Sequence, residues 1–341
     1  MHDVAEMPGR LKGFLSEMAP NRECRVTSYE VLTGGYSRSM ARAEVTWEDG
    51  STETLVLRGD PPEGQGVFVT DRDQEWAVLQ ALTRSGRTPM PAARWYDATG
   101  AHLGTKTIVL DWCSGPSLRS LLEQGVDLDR HTVDLVDTMA AIHTLDLSTV
   151  VSALPTPEGW ETYMDGLLGE WRSAEKAHPE AMPVVRYVGA WLDSHRPVPM
   201  AFTLLHGDFQ ASNILVEGGS QHLIDWEFAH IGDPREDLGY YNVYSSAAPP
   251  NLYERDPEAF LARYRERTGA SEDAVNPLTV AYFSAVAAVK VFSGVLAAVG
   301  AMATGRGRGI MTTYNLNALT IGHRNFLAIC RMLDQGLEVG P

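Results

Sequence analysis

Lysine is scarce in this chain: four residues in 341, at Lys12, Lys106, Lys176 and Lys290. Cysteine is scarcer, with Cys24, Cys113 and Cys330 too few and too scattered for a disulfide framework or a zinc site. A reducing compartment, and so a cytoplasmic location, is the expectation. The opening MHDVAEMPGR has neither a basic nor an apolar stretch of the kind a secretory leader needs. Positive charge is also in deficit, 28 Lys+Arg against 44 Asp+Glu for a net −16. That argues against a nucleic-acid surface, which would need a basic stripe; it fits a cationic small substrate, but solubility explains the acidity most simply. The one long apolar run, residues 281–304, is interrupted by Lys290 and dominated by small residues. It reads as a buried helix, not a membrane span.

What remains is an ordinary globular composition, 44% hydrophobic and 21% charged, long enough for two core-forming units. The first third is β-rich. Residues 25–32, 38–47 and 52–58 carry strand-type enrichment, and Asp49-Gly50 marks a hairpin between the last two. Residues 71–86 follow as an amphipathic helix, with Asp71 as its cap and Gly86 as its stop. Strands are expected again over 93–98 and 105–112. Beyond Trp112 the periodicity turns helical, over 117–124, 132–145, 160–176, 182–195 and 257–268. Residues 203–241 form an exception made of short β pieces and loops. The fold expected is α+β and bilobal: a small β-rich lobe over 1–112 and a larger, mostly helical lobe over 113–341.

The exceptional segment carries the chemistry. His206-Gly207-Asp208 is followed, after four residues, by Asn213, then a short hairpin through Gly218-Gly219, then Asp225. Such a hairpin is expected to bring Asn213 and Asp225 together. Phosphoryl transfer from ATP needs a carboxylate to orient the acceptor hydroxyl and oxygen ligands to hold Mg²⁺. A carboxylate and a carboxamide suit a hard cation that keeps much of its water.

H-G-D-x₄-N followed by Ile224-Asp225-Trp226, with Gly232-Asp233-Pro234-x₂-Asp237-Leu238 beyond it, resembles the aminoglycoside phosphotransferase and choline kinase relatives of the protein kinases. The resemblance covers roughly residues 25–330 and implies a protein-kinase-like fold with ATP between two lobes. It makes Asp208 the catalytic base and Asn213 and Asp225 the metal ligands. His206 and Asp237 become braces of the catalytic loop. Glu227 is within reach either of a second Mg²⁺ or of solvent. In the small lobe, Gly34, Gly35 and Ser37 fall in a run that resembles the family's glycine loop, where backbone N–H groups approach phosphate unobstructed. Glu75 resembles the helix glutamate that pairs with a strand cation. The backbone from Leu110 through Asp111 to Cys113 would take the adenine edge.

The departure lies in that cation. Arg58 stands where protein kinases and many relatives place lysine; Lys106 is a weaker substitute. Arg in this place, followed by Pro, resembles the branch containing the kinase-like part of acyl-CoA dehydrogenase fusion proteins. The expectation is an ATP- and Mg²⁺-dependent kinase for a hydroxyl on a small molecule, with an aminoglycoside-type antibiotic as one candidate. A nucleotide-binding pseudokinase and a nucleotidyl transferase are the alternatives. No nucleic-acid or membrane partner is expected.

Overall fold

The computed structural model describes residues 4–32, 39–60, 71–177, 183–246, 250–303 and 331. In chain order, α1 (Met7–Met18) precedes β1 (Cys24–Leu32), β2 (Ser39–Trp47) and β3 (Thr52–Gly59). Then come α2 (Arg72–Ser85), β4 (Ala93–Asp97), β5 (Thr107–Asp111), α3 (Leu118–Glu123) and α4 (Leu128–His143). Next are α5 (Trp160–Ala177), α6 (Pro183–Ser194), β6 (Thr203–Leu205), β7 (Ile214–Glu217), β8 (Ser220–Leu223) and β9 (His230–Gly232). The last elements among the described residues are α7 (Arg235–Ser246), α8 (Leu252–Arg255), α9 (Pro257–Thr268) and α10 (Pro277–Ala303). These elements make an α+β fold in two compact units. One comprises Met1–Pro116, Ser148–Leu154 and Leu215–Phe228; the other Ser117–Leu147, Pro155–Ile214 and Ala229–Pro341.

The first unit is built on an antiparallel sheet of order β1-β2-β3-β5-β4. Asp49 sets the β2–β3 turn, its carboxylate accepting from the Ser51 N–H at 2.8 Å, while Gly50 takes φ 83°. Strand alternation then sorts the side chains. Ala41, Ala43, Val45 and Trp47 join Leu55, Leu57 and Val109 in a core closed by Leu11, Phe14 and Leu15 of α1. Met40, Arg58 and Ile108 are register partners and so share the opposite face. Helix α1 went unread in the sequence, since its apolar residues are few and spaced among Gly9, Lys12 and Gly13.

Helix α2 begins where Asp71 accepts from the N–H groups of Asp73 and Gln74, and ends at Gly86 with φ 61°. At the end of the sheet, Gly115 lies so close to the Val216 carbonyl that a Cβ would meet it at 2.0 Å. Only glycine fits there. Strands β7 and β8 form the expected short hairpin.

The second unit is helical around a core of Met164, Leu168, Trp171, Val188, Trp191 and the first half of α10. Residues 280–289 of α10 are all buried, which places the first part of the apolar run in the core. No helix among the described residues is long and apolar enough to cross a membrane. Helix α7 packs on α10 at Gly239, where a Cβ would sit 2.3 Å from the Phe283 carbonyl carbon. This helix corrects the expectation of loops as far as Tyr241. Its sequence, Arg235-Glu-Asp-Leu-Gly-Tyr-Tyr, is too polar to show a stripe, because its polar first turn is itself buried.

Candidate active site

In the first unit the chemistry gathers around Arg58, which is 6% exposed. Its Nη1 donates to Glu75 Oε1 at 2.6 Å, and its Nη2 donates to Asp225 Oδ1 at 2.5 Å. Burial alone would lower the guanidinium's pKa, but Glu75, Asp225 and Glu227 outweigh it and push it further up. Arg58 stays charged. Glu75, on the inward face of α2, also accepts from Arg72 on the preceding turn. Arg72 reaches on to Asp60 at 3.0 and 3.1 Å. Two arginines therefore alternate with three carboxylates. Asp225 itself adopts φ 70°, a left-handed conformation that aspartate tolerates better than most residues.

Lys106 lies apart from this chain of charges, its ammonium bonded to Asp73 at 2.5 Å beside the Tyr96 hydroxyl. Asp111 ends β5, and burial raises its carboxyl pKa despite Arg94 nearby. Cys113 is buried, and burial lifts its thiol too. Next to it, the Ser114 N–H donates to Glu217 at 2.7 Å. Gly34, Gly35 and Ser37 lie outside the described residues.

In the second unit, Asp208 is tethered from both sides. Gln210 Nε2 donates to Oδ1 at 2.8 Å, and Asn213 Nδ2 donates to Oδ2 at 2.7 Å and to the Asp208 carbonyl at 3.0 Å. Beneath it, buried His206 takes the Asp208 N–H on Nδ1 at 3.2 Å and packs edge-on to Phe209. Asp237, fully buried, accepts the N–H groups of His206 and Gly207 at 2.8 and 3.0 Å. His143 Nε2 approaches the same carboxylate at 3.2 Å, and its Nδ1 meets the Tyr264 hydroxyl at 2.7 Å. Burial would raise the Asp237 pKa; the bond and charge of His143, with His206, hold it below the ordinary carboxylate value.

A small pocket, partly open to solvent, lies beside this loop. Gly207, Tyr240, Phe283 and Ala287 line it together with Glu236, His230 and Lys290. Burial and the Asp208 carboxylate push the Tyr240 phenol well above its usual pKa, so it remains a donor. Burial also lifts Glu236 to about 7, with the Lys290 ammonium at 3.7 Å pulling it back and Asp237 adding to the rise.

Three of these residues escaped the reading of the sequence. Arg72 could have been found three positions before Glu75 on the same helix face. His143, at the last turn of an amphipathic helix that also carries His131, had no local signal to set it apart. Gln210 becomes visible only when Asp208 is placed, whereas Tyr240 lies in the aromatic-rich segment 240–253 that is expected from the sequence to help build an acceptor pocket.

The model of the phosphotransferase enzyme family matches residues 28–273. The chain belongs to that family. It is also similar to acyl-CoA dehydrogenase family member 11 of Pongo abelii, 26% identical over 203 residues, covering 56% of this chain and 25% of that protein. The chain thus spans about a quarter of the length of this curated relative. Among solved structures it resembles one from Ralstonia eutropha JMP134, described as a candidate aminoglycoside phosphotransferase, with TM-score 0.74 and 18% identity over 95% of this chain and 98% of that one. A second is a thermostable mutant of aminoglycoside phosphotransferase APH(4)-Ia in a ternary complex with ADP and hygromycin B, with TM-score 0.63 and 16% identity over 94% and 98%. At these identities the likeness shows the fold, the protein-kinase-like one that the motifs implied.

Proposed function

We propose that this chain is an ATP- and Mg²⁺-dependent O-phosphotransferase acting on a hydroxyl of a small molecule. The observation that carries the reading is Asp208, a carboxylate aimed by Gln210 and Asn213 on a loop braced by Asp237. In this role Asp208 orients the acceptor hydroxyl and receives its proton. The acceptor oxygen then forms its bond to the γ-phosphorus as the bond from that phosphorus to ADP breaks. Asp237, with both oxygens engaged, keeps the loop from shifting during the transfer.

The residues present fit Mg²⁺. No cluster of three or more His, Cys, Asp or Glu able to hold a metal occurs among the described residues. Mg²⁺ needs none, because it takes one or two protein oxygens, substrate phosphates and water. By the motif, Asp225 and the Asn213 carboxamide oxygen would be its protein ligands, with Glu227 a further carboxylate two residues after Asp225. When bound, the ion neutralises phosphate charge. Arg58 would hold phosphate oxygens from the sheet side, anchored by Glu75. The cavity beside Gly207 and Tyr240 would receive the acceptor. Aminoglycosides are one candidate class, since the APH(4)-Ia relative binds hygromycin B.

Product analysis tests the reading. With the correct acceptor, ATP yields ADP and a phosphomonoester; absence of any product supports a pseudokinase, and pyrophosphate supports nucleotidyl transfer.

A further inference from the structure

The two ends of the Arg58 guanidinium are committed to two different carboxylates. Nη1 holds Glu75 and Nη2 holds Asp225, at 2.6 and 2.5 Å, with the Arg58 side chain 8% exposed. A planar fork presents separate N–H groups to separate partners, whereas the ammonium of lysine is a single point charge. From this geometry we infer that Arg58 is a built-in counter-ion for Asp225. It keeps free divalent cations off that carboxylate until nucleotide phosphates arrive, so metal enters only together with nucleotide. The inference rests on the reading of Asp225 as a metal ligand.

The physical argument has three parts. First, a divalent cation and a guanidinium that share one carboxylate repel each other across a few ångströms, and with the Arg58 side chain 8% and the Asp225 side chain 28% exposed, solvent screens that repulsion only in part. Second, phosphate oxygens remove the conflict, because they offer the guanidinium another anion and neutralise the ion as well. Third, the exchange leaves no orphaned charge on the protein. Glu75 keeps a second arginine, since Arg72 donates to its other oxygen and is itself held by Asp60. Breaking a buried pair is expensive when one partner is stranded; here the carboxylate that Arg58 shares with Arg72 stays compensated. Arg72 is therefore a positioning residue for this exchange. Glu227, which contributes to the field on Arg58, adds a third carboxylate that favours keeping a cation at this spot.

Mn²⁺, another divalent ion suited to oxygen ligands, serves as a probe because its paramagnetic resonance signal is lost on binding. The full-length chain is titrated with Mn²⁺ alone and then with Mn²⁺ and ADP. The wild-type protein should bind Mn²⁺ only with ADP present. Arg58→Lys, which keeps one charge for Glu75 but loses the fork, should bind Mn²⁺ without nucleotide at least about tenfold more tightly than wild type. Adding Asp225→Asn to Arg58→Lys should remove that gain, and melting curves establish that each variant is folded. Arg58→Met provides a second variant in which the counter-ion is gone altogether. Equal binding of free Mn²⁺ by folded wild-type and Arg58→Lys proteins overturns the inference while leaving the metal site standing. If no protein binds Mn²⁺ even with ADP, the reading of Asp225 as a ligand fails, and the inference falls with it.

Discussion

Asn213 donates the same carboxamide nitrogen twice to Asp208, at 2.7 Å to the carboxylate and 3.0 Å to the backbone carbonyl. The nitrogen is thus committed to the proposed base, and the carboxamide oxygen is the atom Asn213 can offer a cation. On the proposed reading, one side chain would serve both the proton-accepting and the metal-holding halves of the chemistry. Its spacing of five residues from Asp208 is what lets it fold back across the short turn at 211–213.

Asp208→Asn should lower turnover by at least ~10², the usual range for loss of a general base, while ATP binding is retained. Steady-state kinetics with an accepted alcohol, paired with calorimetric ATP titration, checks this. Near-wild-type turnover in the variant would remove Asp208 from the role.

Arg58→Ala should weaken ATP far more than adenosine, because only the phosphates lose a partner. A charge-assisted bond contributes about 1.5–3 kcal/mol, so ATP affinity should fall roughly ten- to a hundredfold. Arg58→Lys should recover part of the loss. Competition titrations with ATP and adenosine on the same preparations measure both numbers.

Asp237→Ala should destabilise the second unit. It strands the N–H groups of His206 and Gly207 and the His143 imidazole in a buried setting, and uncompensated groups of this kind cost about 3–5 kcal/mol. Because folding depresses the Asp237 pKa, its contribution is present above the unfolded carboxylate value and is lost as pH falls through the lower folded value. Urea unfolding of wild type and variant across acidic pH should show the two curves converging at the acid end.

Glu236 works in the opposite direction. Its folded pKa, about 7, lies above the unfolded value near 4.5, so the fold prefers the protonated form. Its stabilising effect is complete below the unfolded value and is lost as pH rises through about 7. Glu236→Gln should therefore gain stability relative to wild type between pH 5 and 8, by up to roughly 3 kcal/mol. Melting temperatures of both proteins across that range test it, and parallel curves would contradict it.

The legible parts of the fold were those with short periods or local chemistry. The five-stranded sheet announces itself by alternation on β2 and by Asp49-Gly50, and α2 by Asp71 and Gly86. Asp208, Asn213 and Asp225 stand out because their spacing is set by one loop and one hairpin. What could not be read is what long-range packing decides. Helix α1 earns its place only by closing the outer face of the sheet with Leu11, Phe14 and Leu15. The polar first turn of α7 is buried because Asp237 and Arg235 find partners far along the chain, His206 and Val198 among them. No window of sequence contains both members of those pairs.

The account is tested most directly by incubating the protein with Mg²⁺, ATP labelled on the γ-phosphate and a panel of aminoglycosides, macrolides, hydroxy acids, choline and sugars, then following the label by mass spectrometry. The prediction is that ADP forms in step with a labelled phosphomonoester on one class of alcohol, and that Asp208→Asn abolishes both. Label that stays on intact ATP with every acceptor, or nucleotide released as AMP with pyrophosphate, would contradict it.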